Sequence, residues 1–283
     1  MAIRNFFKKK QWRSDMPFDL AVTMGYIDGF SYVQKFGENP LIESGTAPED
    51  IWEGGGLYPF SADGVADIVS ISSSDAGDTQ NILIYGLDAS GAVVVQVATL
   101  QGQTRVALAT PLWRVYRMEN FSFPGVSFSG TVYCYSGTTA TAGVPSGGSV
   151  TKALIDDGNN QTQMAVYTIP AGKVGFLRRG EVGFGYSGTI GAGVQQVKFC
   201  FEARTYSNVF KIKKTVYGIS SGATEHIDWR AFPDPIPALS DIKTCVKNTT
   251  ANVSTHSTFH FWLVDEGLFT DSYLAGILQP GYV

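Results

Sequence analysis

The sequence predicts an all-β chain: antiparallel β-sandwich or jelly-roll domains preceded by an extended N-terminal arm. Three observations carry this. Short runs of β-branched and aromatic residues recur at about 8–12-residue spacing, with Gly, Asp, Asn and Pro between them, which is the rhythm of a sandwich. Glycine is abundant, at 32 of 283 residues, which suits tight turns. Charged residues make up only 16% of the chain, against roughly a quarter in an average soluble domain. A chain of this length can bury a core without a metal or disulfide staple. Its low charge predicts that copies of itself or partners cover much of its surface.

Taken in order, residues 1–60 read as an arm followed by an irregular docking region. A short helix or strand is expected around Leu20–Gly25. Pro17, Pro40, Pro48, Pro59 and the Gly54-Gly55-Gly56 run are read as blocking longer elements. Residues 61–149 read as a small β-sandwich. Its strands are expected at Ile68–Ile71, Asn81–Tyr85, Ala92–Thr99, Arg105–Ala109, Trp113–Met118 and Thr131–Tyr135, with turns at Asp75–Asp78 and Gly86–Gly91.

Residues 150–265 read as a larger, jelly-roll-like domain. Its strands are expected at Met164–Ile169, Gly175–Arg179, Glu181–Tyr186, Val194–Ala203, Val209–Tyr217, Thr224–Trp229, Asp241–Asn248 and Ser257–Asp265. In Val194–Ala203, Val197, Phe199 and Phe201 alternate with Lys198 and Glu202, so one face is apolar. Pro170–Lys173 reads as a turn, with Pro fixing φ and Gly172 supplying φ > 0. Residues 266–283 read as a C-terminal tail.

Charge is unevenly placed. Residues 1–13 carry Arg4, Lys8, Lys9, Lys10 and Arg13 and no acid, so a basic arm precedes an acidic body. The arm also carries Ile3, Phe6, Phe7 and Trp12, which are costly to leave in water. Ile3, Phe6, Phe7, Lys8, Lys9, Lys10 and Trp12 are therefore expected to dock on a partner or a neighbouring copy. Trp52 sits in the Pro48–Gly56 loop, with little else nearby in sequence to bury it. With Tyr58 just beyond the loop, it is the expected second interface anchor.

The enzyme classes find little support. His226, His256 and His260 are the only histidines. His256 and His260 have the i, i+4 spacing of a helical metal site, but their run is β-branched and aromatic. In a strand they share one face about 13 Å apart, too far for one ion. Gly172-Lys173 lacks the Ser or Thr that a phosphate loop places next. Asp156, Asp157, Asn159 and Asn160 could offer oxygen ligands to Ca²⁺, but Asp and Asn ordinarily stabilise such turns through backbone bonds. Cys134, Cys200 and Cys245 have no CxxC spacing, which argues against a disulfide framework and a zinc site; Cys134 and Cys200 read as buried apolar residues. Trp113, Trp229 and Trp262 read as packed within the sandwiches rather than as a sugar platform. No 18-residue apolar stretch and no secretory signal are evident. Neither enzyme activity, cofactor, nucleic acid nor membrane is expected.

Several short motifs resemble an uncharacterised family of tailed-bacteriophage virion proteins. They begin with Asp28-Gly29-Phe30, Val33 and Lys35-Phe36-Gly37-Glu38-Asn39-Pro40. Pro48-Glu49-Asp50-Ile51-Trp52-Glu53-Gly54-Gly55-Gly56-Leu57-Tyr58 follows. The resemblance continues at Tyr85–Asp88, Thr99–Gly102, Trp113–Arg117 and Tyr167–Lys173, and departs from the pattern around Ser72–Asp78, where a serine and aspartate run is shortened. It implies a virion structural protein: a capsid decoration, head–tail or tail accessory component, with a receptor- or carbohydrate-binding fibre or spike part as the alternative. The implied partners are other virion proteins, further copies in a trimer or ring and, for the alternative, a host-surface glycan.

Overall fold

The computed structural model describes residues 16–45, 47–123, 125–186, 195–220, 225–230, 235–249 and 252–269. In chain order these form helix α1 (Phe18–Thr23) and strands β1 (Phe30–Ile42), β2 (Glu49–Asp50), β3 (Ile68–Ser73), β4 (Asn81–Leu87), β5 (Val93–Thr99), β6 (Val106–Leu112), β7 (Arg114–Asn120), β8 (Val132–Ser136), β9 (Ala140–Thr141) and β10 (Val144–Pro145). Then come β11 (Val150–Ile155), β12 (Val166–Thr168), β13 (Lys173–Tyr186), β14 (Gln195–Arg204), β15 (Lys211–Ser220), β16 (Glu225–Arg230), β17 (Pro235–Ile236), β18 (Asp241–Thr249) and β19 (Val253–Asp265). The fold is all-β and antiparallel, as the sequence predicts.

The larger unit packs a β1-β19-β13-β16 sheet on a β12-β18-β14-β15 sheet. Each sheet gains a short fifth strand, β17 on β13 and β2 on β18; the eight main strands, with first and last adjacent, make a jelly roll. The alternation in β14 does what its period demands. Val197, Phe199 and Phe201 are fully buried between the sheets, against Phe184, Phe259 and Phe261 from the other sheet. Phe201 and Phe259 meet edge to face at 5.6 Å, a favoured aromatic geometry.

The smaller unit packs β11-β8-β3-β6 on β5-β4-β7 around Ile71, Ile82, Ile84, Leu112, Met118 and Val132. It is an insertion, leaving the jelly roll after β2 and returning before β12. At the neck the two crossings pair antiparallel: Trp52 bridges Met164, the Glu53 N–H donates to the Gln163 carbonyl at 3.2 Å, and the Ala165 N–H donates to that of Ile51 at 2.9 Å.

Three expectations are corrected. Residues 30–42 are not irregular but a thirteen-residue strand. Among the described residues β1 lies at a sheet edge, paired with β19 alone, and its register slips between Asn39 and Ile42. Pro40 falls in that irregularity, where a missing N–H costs no ladder bond. Gly37 is a point of close approach: a Cβ there would lie 2.2 Å from the Ala165 nitrogen. Second, β11 pairs with β8, so residues 150–155 belong to the small sandwich. Third, Gly175–Arg179 and Glu181–Tyr186 are one strand, because a bulge between Leu177 and Arg179 absorbs the irregularity. The Pro170–Lys173 turn forms as expected, with Gly172 at φ +72° and the Lys173 N–H on the Pro170 carbonyl at 3.3 Å.

Candidate functional site

Trp52 and Tyr58 are not interface anchors. Trp52 is only 5% exposed and belongs to the small sandwich's core. The neck folds the loop under that sandwich, where Trp52 meets Tyr58 edge to face at 5.2 Å. The indole also lies within 2.3 Å of where a Cβ on Gly54 would stand, so Gly54 lets the loop close over the ring. The Tyr58 N–H donates to Asp50 Oδ2 at 2.8 Å. Ile3, Phe6, Phe7, Lys8, Lys9, Lys10 and Trp12 lie outside the described residues.

The two sandwiches are locked by a buried ionic cluster at one end of the jelly roll. Arg114, opening β7, donates from Nε and Nη2 to both Asp241 oxygens at 2.8 Å. Arg204, ending β14, donates to Asp241 Oδ2 at 2.9 and 2.7 Å, and the Thr168 hydroxyl donates to Oδ1 at 2.6 Å. Asp63 stands 3.1 Å from Arg114 and 3.4 Å from Arg204. Phe60 lies under both guanidiniums, at 5.3 and 5.2 Å. Two cations and two anions pair with one another over an aromatic floor. Lys35 makes a further tie: it is buried and donates from Nζ to the Tyr116 carbonyl across the junction. Burial, with Arg117 nearby, lowers its pKa to about 7.

The Asp156–Asn160 turn serves the neck. Asp156 Oδ1 accepts from the Asp157 N–H at 3.0 Å and the Thr131 hydroxyl at 3.2 Å. Asn159 donates to Glu53 Oε1 at 2.8 Å, and the Gln163 N–H donates to Glu53 Oε2 at 3.1 Å. Burial still raises the Glu53 carboxyl to about 7. Among the described residues, no three His, Cys, Asp or Glu side chains converge where they could hold a metal ion.

A groove of about 660 Å³ lies on the outer face of the β1-β19-β13-β16 sheet, lined by Asp19, Thr23, Tyr32, Arg178, Arg179 and His260. His256 and His260 do share one face of β19, with His256 packed over Gly183. His260 is engaged by the Tyr32 hydroxyl. Trp262 sits outside the core, contrary to expectation. Arg178 stacks on it at 3.8 Å and Phe18 meets it at 4.9 Å, so its ring offers no free sugar platform. Trp113 is fully buried, as expected.

The more telling surface is the β5–β6 edge of the small sandwich. Val93, Val95 and Val97 are 53%, 54% and 48% exposed. Ala107, Ala109 and Pro111 face solvent from β6, the edge strand of the other sheet. Every exposed residue between 92 and 111 is uncharged, and Arg105, the one charge in that stretch, donates from Nε to Ser70 Oγ at 2.6 Å. The sheet edge is closed by Gln96, whose amide donates to the Thr110 carbonyl at 2.9 Å and accepts from its N–H at 3.0 Å. The near-continuous branched residues of Ala92–Thr99 predict a buried strand, and the structure instead exposes alternate valines. The buried-exposed alternation here separates valine from valine, so hydropathy could not reveal it.

No protein-family model matches the sequence, and no curated protein matches it. Among solved structures, the chain is similar to the Gt strain of infectious bursal disease virus, with a TM-score of 0.24 and 12% identity over 86% of this chain and 74% of that one. It is also similar to the VP2 subviral particle of the same virus, with a TM-score of 0.23 and 11% identity over 85% and 73% of the two chains. At these TM-scores the backbones do not superpose as one fold, and no assignment follows from either.

Proposed function

We propose that this chain is a non-enzymatic structural component of a tailed-bacteriophage virion, a capsid decoration or head–tail accessory protein, and that copies of it associate through the β5–β6 face of the small sandwich. The observation that carries the proposal is the charge-free, valine-rich character of that face. Sheet edges that must stay solitary are ordinarily protected by lysines, inward charges or short strands, and an apolar patch left open marks a contact surface. Here Gln96 and Pro111 protect the backbone edge, while the side-chain face stays open for packing. The jelly roll is an architecture shared by viral capsid, lectin and cupin domains. Its interior in this chain is filled by phenylalanine rings packed among branched aliphatic side chains, which suits a building block better than a ligand-holding barrel. The motif resemblance points the same way. The basic, aromatic arm supplies a second attachment to the particle.

Two altered chains test this. Val95→Lys with Val97→Lys places charge on the face without touching the core; light scattering should show the oligomer falling to monomer with the fold intact by circular dichroism. A chain lacking residues 1–13 should keep the oligomer and lose occupancy on the particle. An unchanged mass distribution for the double lysine variant refutes the self-docking face, and wild-type occupancy of the shortened chain refutes the arm as anchor.

A further inference from the structure

The outer face of the β12-β18-β14-β15 sheet carries a feature that the docking reading does not use. Cys200 in β14 is directly opposite Cys245 in β18, and the row continues to Thr215 of β15 on one side and Asp50 of β2 on the other. Opposed residues in an antiparallel pair have Cα atoms about 4.5 or 5.5 Å apart, both within the span a disulfide bridges. The two thiols are unbridged, and both are fully buried. The neighbouring rows are charged. Lys198 is opposite Lys247 on one side, and Glu202 is opposite Lys243 on the other. Lys247 donates to Glu202, two rows away, so its side chain crosses over the cysteine pair.

We infer that Cys200 and Cys245 form a cross-strand redox site, closing to a disulfide by exchange with a low-molecular-weight disulfide. The Cys200 thiolate attacks one sulfur of the reagent RSSR, forming a mixed disulfide and expelling RS⁻. The Cys245 thiol loses its proton and attacks Cys200 Sγ, expelling a second RS⁻. The protein loses two protons and two electrons, and RSSR is reduced to two thiols. The roles follow from the surroundings. Cys200 accepts hydrogen bonds from Cys245 and Thr215 and feels Lys247 and Lys198, all of which favour its thiolate and lower its pKa. Cys245 keeps its proton, because it donates to Cys200, is buried, and lies near Glu202 and Asp50. Both sulfurs are fully buried, so the reagent reaches Cys200 through local opening of the sheet's outer face; an electropositive setting with a second thiol alongside is the arrangement exchange chemistry then requires. Cys134 is buried in the other sandwich and has no part in it.

The full-length protein is incubated with oxidised glutathione, and in parallel with the smaller hydroxyethyl disulfide. It is then denatured, alkylated with iodoacetamide and analysed by peptide mass spectrometry without reduction. The expected result is a cross-link joining Cys200 to Cys245 and a single alkylated cysteine, Cys134. Cys245→Ser should stop at a glutathione adduct on Cys200. Lys247→Met should slow thiol release severalfold while leaving the cross-link reachable; an unchanged rate overturns the role given to Lys247. Three alkylated cysteines after both reagents, or a bond involving Cys134 or a second chain, overturns the proposal.

Discussion

Replacing Asp241 with asparagine removes one negative charge from the junction while keeping the side chain's shape. In the native protein this carboxylate accepts two donors from Arg114, two from Arg204 and one from Thr168, at 2.6–2.9 Å. Arg114 and Asp241 are 2% and 1% exposed, so water cannot take over the carboxylate's role. Asparagine retains one oxygen acceptor, and its amide points hydrogens at a guanidinium. Asp63 is then the remaining counter-charge for two cations, at 3.1 and 3.4 Å. Removing one partner from a buried ion pair costs about 3–5 kcal/mol, because the other charge stays buried. For a chain of this size each kcal/mol moves Tm by about 2–4 °C, so scanning calorimetry should show a fall of roughly 6–20 °C. The control is Arg117→Ala, which breaks a half-exposed pair with Glu119 at 2.8 Å. Pairs of that kind contribute about 0–1 kcal/mol. A fall of less than about 2 °C for Asp241→Asn would refute the view that this cluster locks the sandwiches together.

Two further expectations follow from the junction and the neck. Trp52→Ala should cost about 3–5 kcal/mol in urea unfolding, since it hollows the base of the small sandwich's core; a loss under about 1 kcal/mol would contradict the packing described. Lys35 titrates at about 7 in the folded protein against its ordinary 10.5. Between those values the unfolded chain holds more protons, so stability rises with pH across that window and is lost as pH falls towards 7. Lys35→Met should flatten that rise in unfolding measurements between pH 7 and 10, and an unchanged slope would refute the assignment.

Much of the fold was legible because strand periodicity is local. Phe199 and Phe201 alternate with charged neighbours, and the jelly-roll face of β14 can be read directly from them. The Pro170–Lys173 turn is equally local, resting on the φ preferences of two residues. β1 was hidden because Pro40 looks like a breaker until the strand is known to lie at an edge. The burial of Trp52 depends on Met164, which returns to the loop only after the whole small sandwich has been made. The surfaces that matter for function were the least legible. Arg114 meets Asp241 across 127 positions, and Cys200 meets Cys245 only through register. The exposed valines of β5 carry no signal in a hydropathy pattern that assigns every valine to the interior.

The pairing of β1 with β19 joins the first strand of the jelly roll to its last, with Phe30 opposite Val264. It also sets an order on the ribosome. The small sandwich lies within one continuous stretch between the two crossings of the neck, so it can form as soon as that stretch emerges. β1 cannot find its ladder partner β19 until more than two hundred further residues have been added. At synthesis rates of about 5–20 residues per second, it waits roughly 10–45 s. During that interval a thirteen-residue strand with both edges open hangs beside a finished sandwich. Nascent neighbours on one polysome would carry the same strand, so the fold's vulnerable moment comes before the chain is complete.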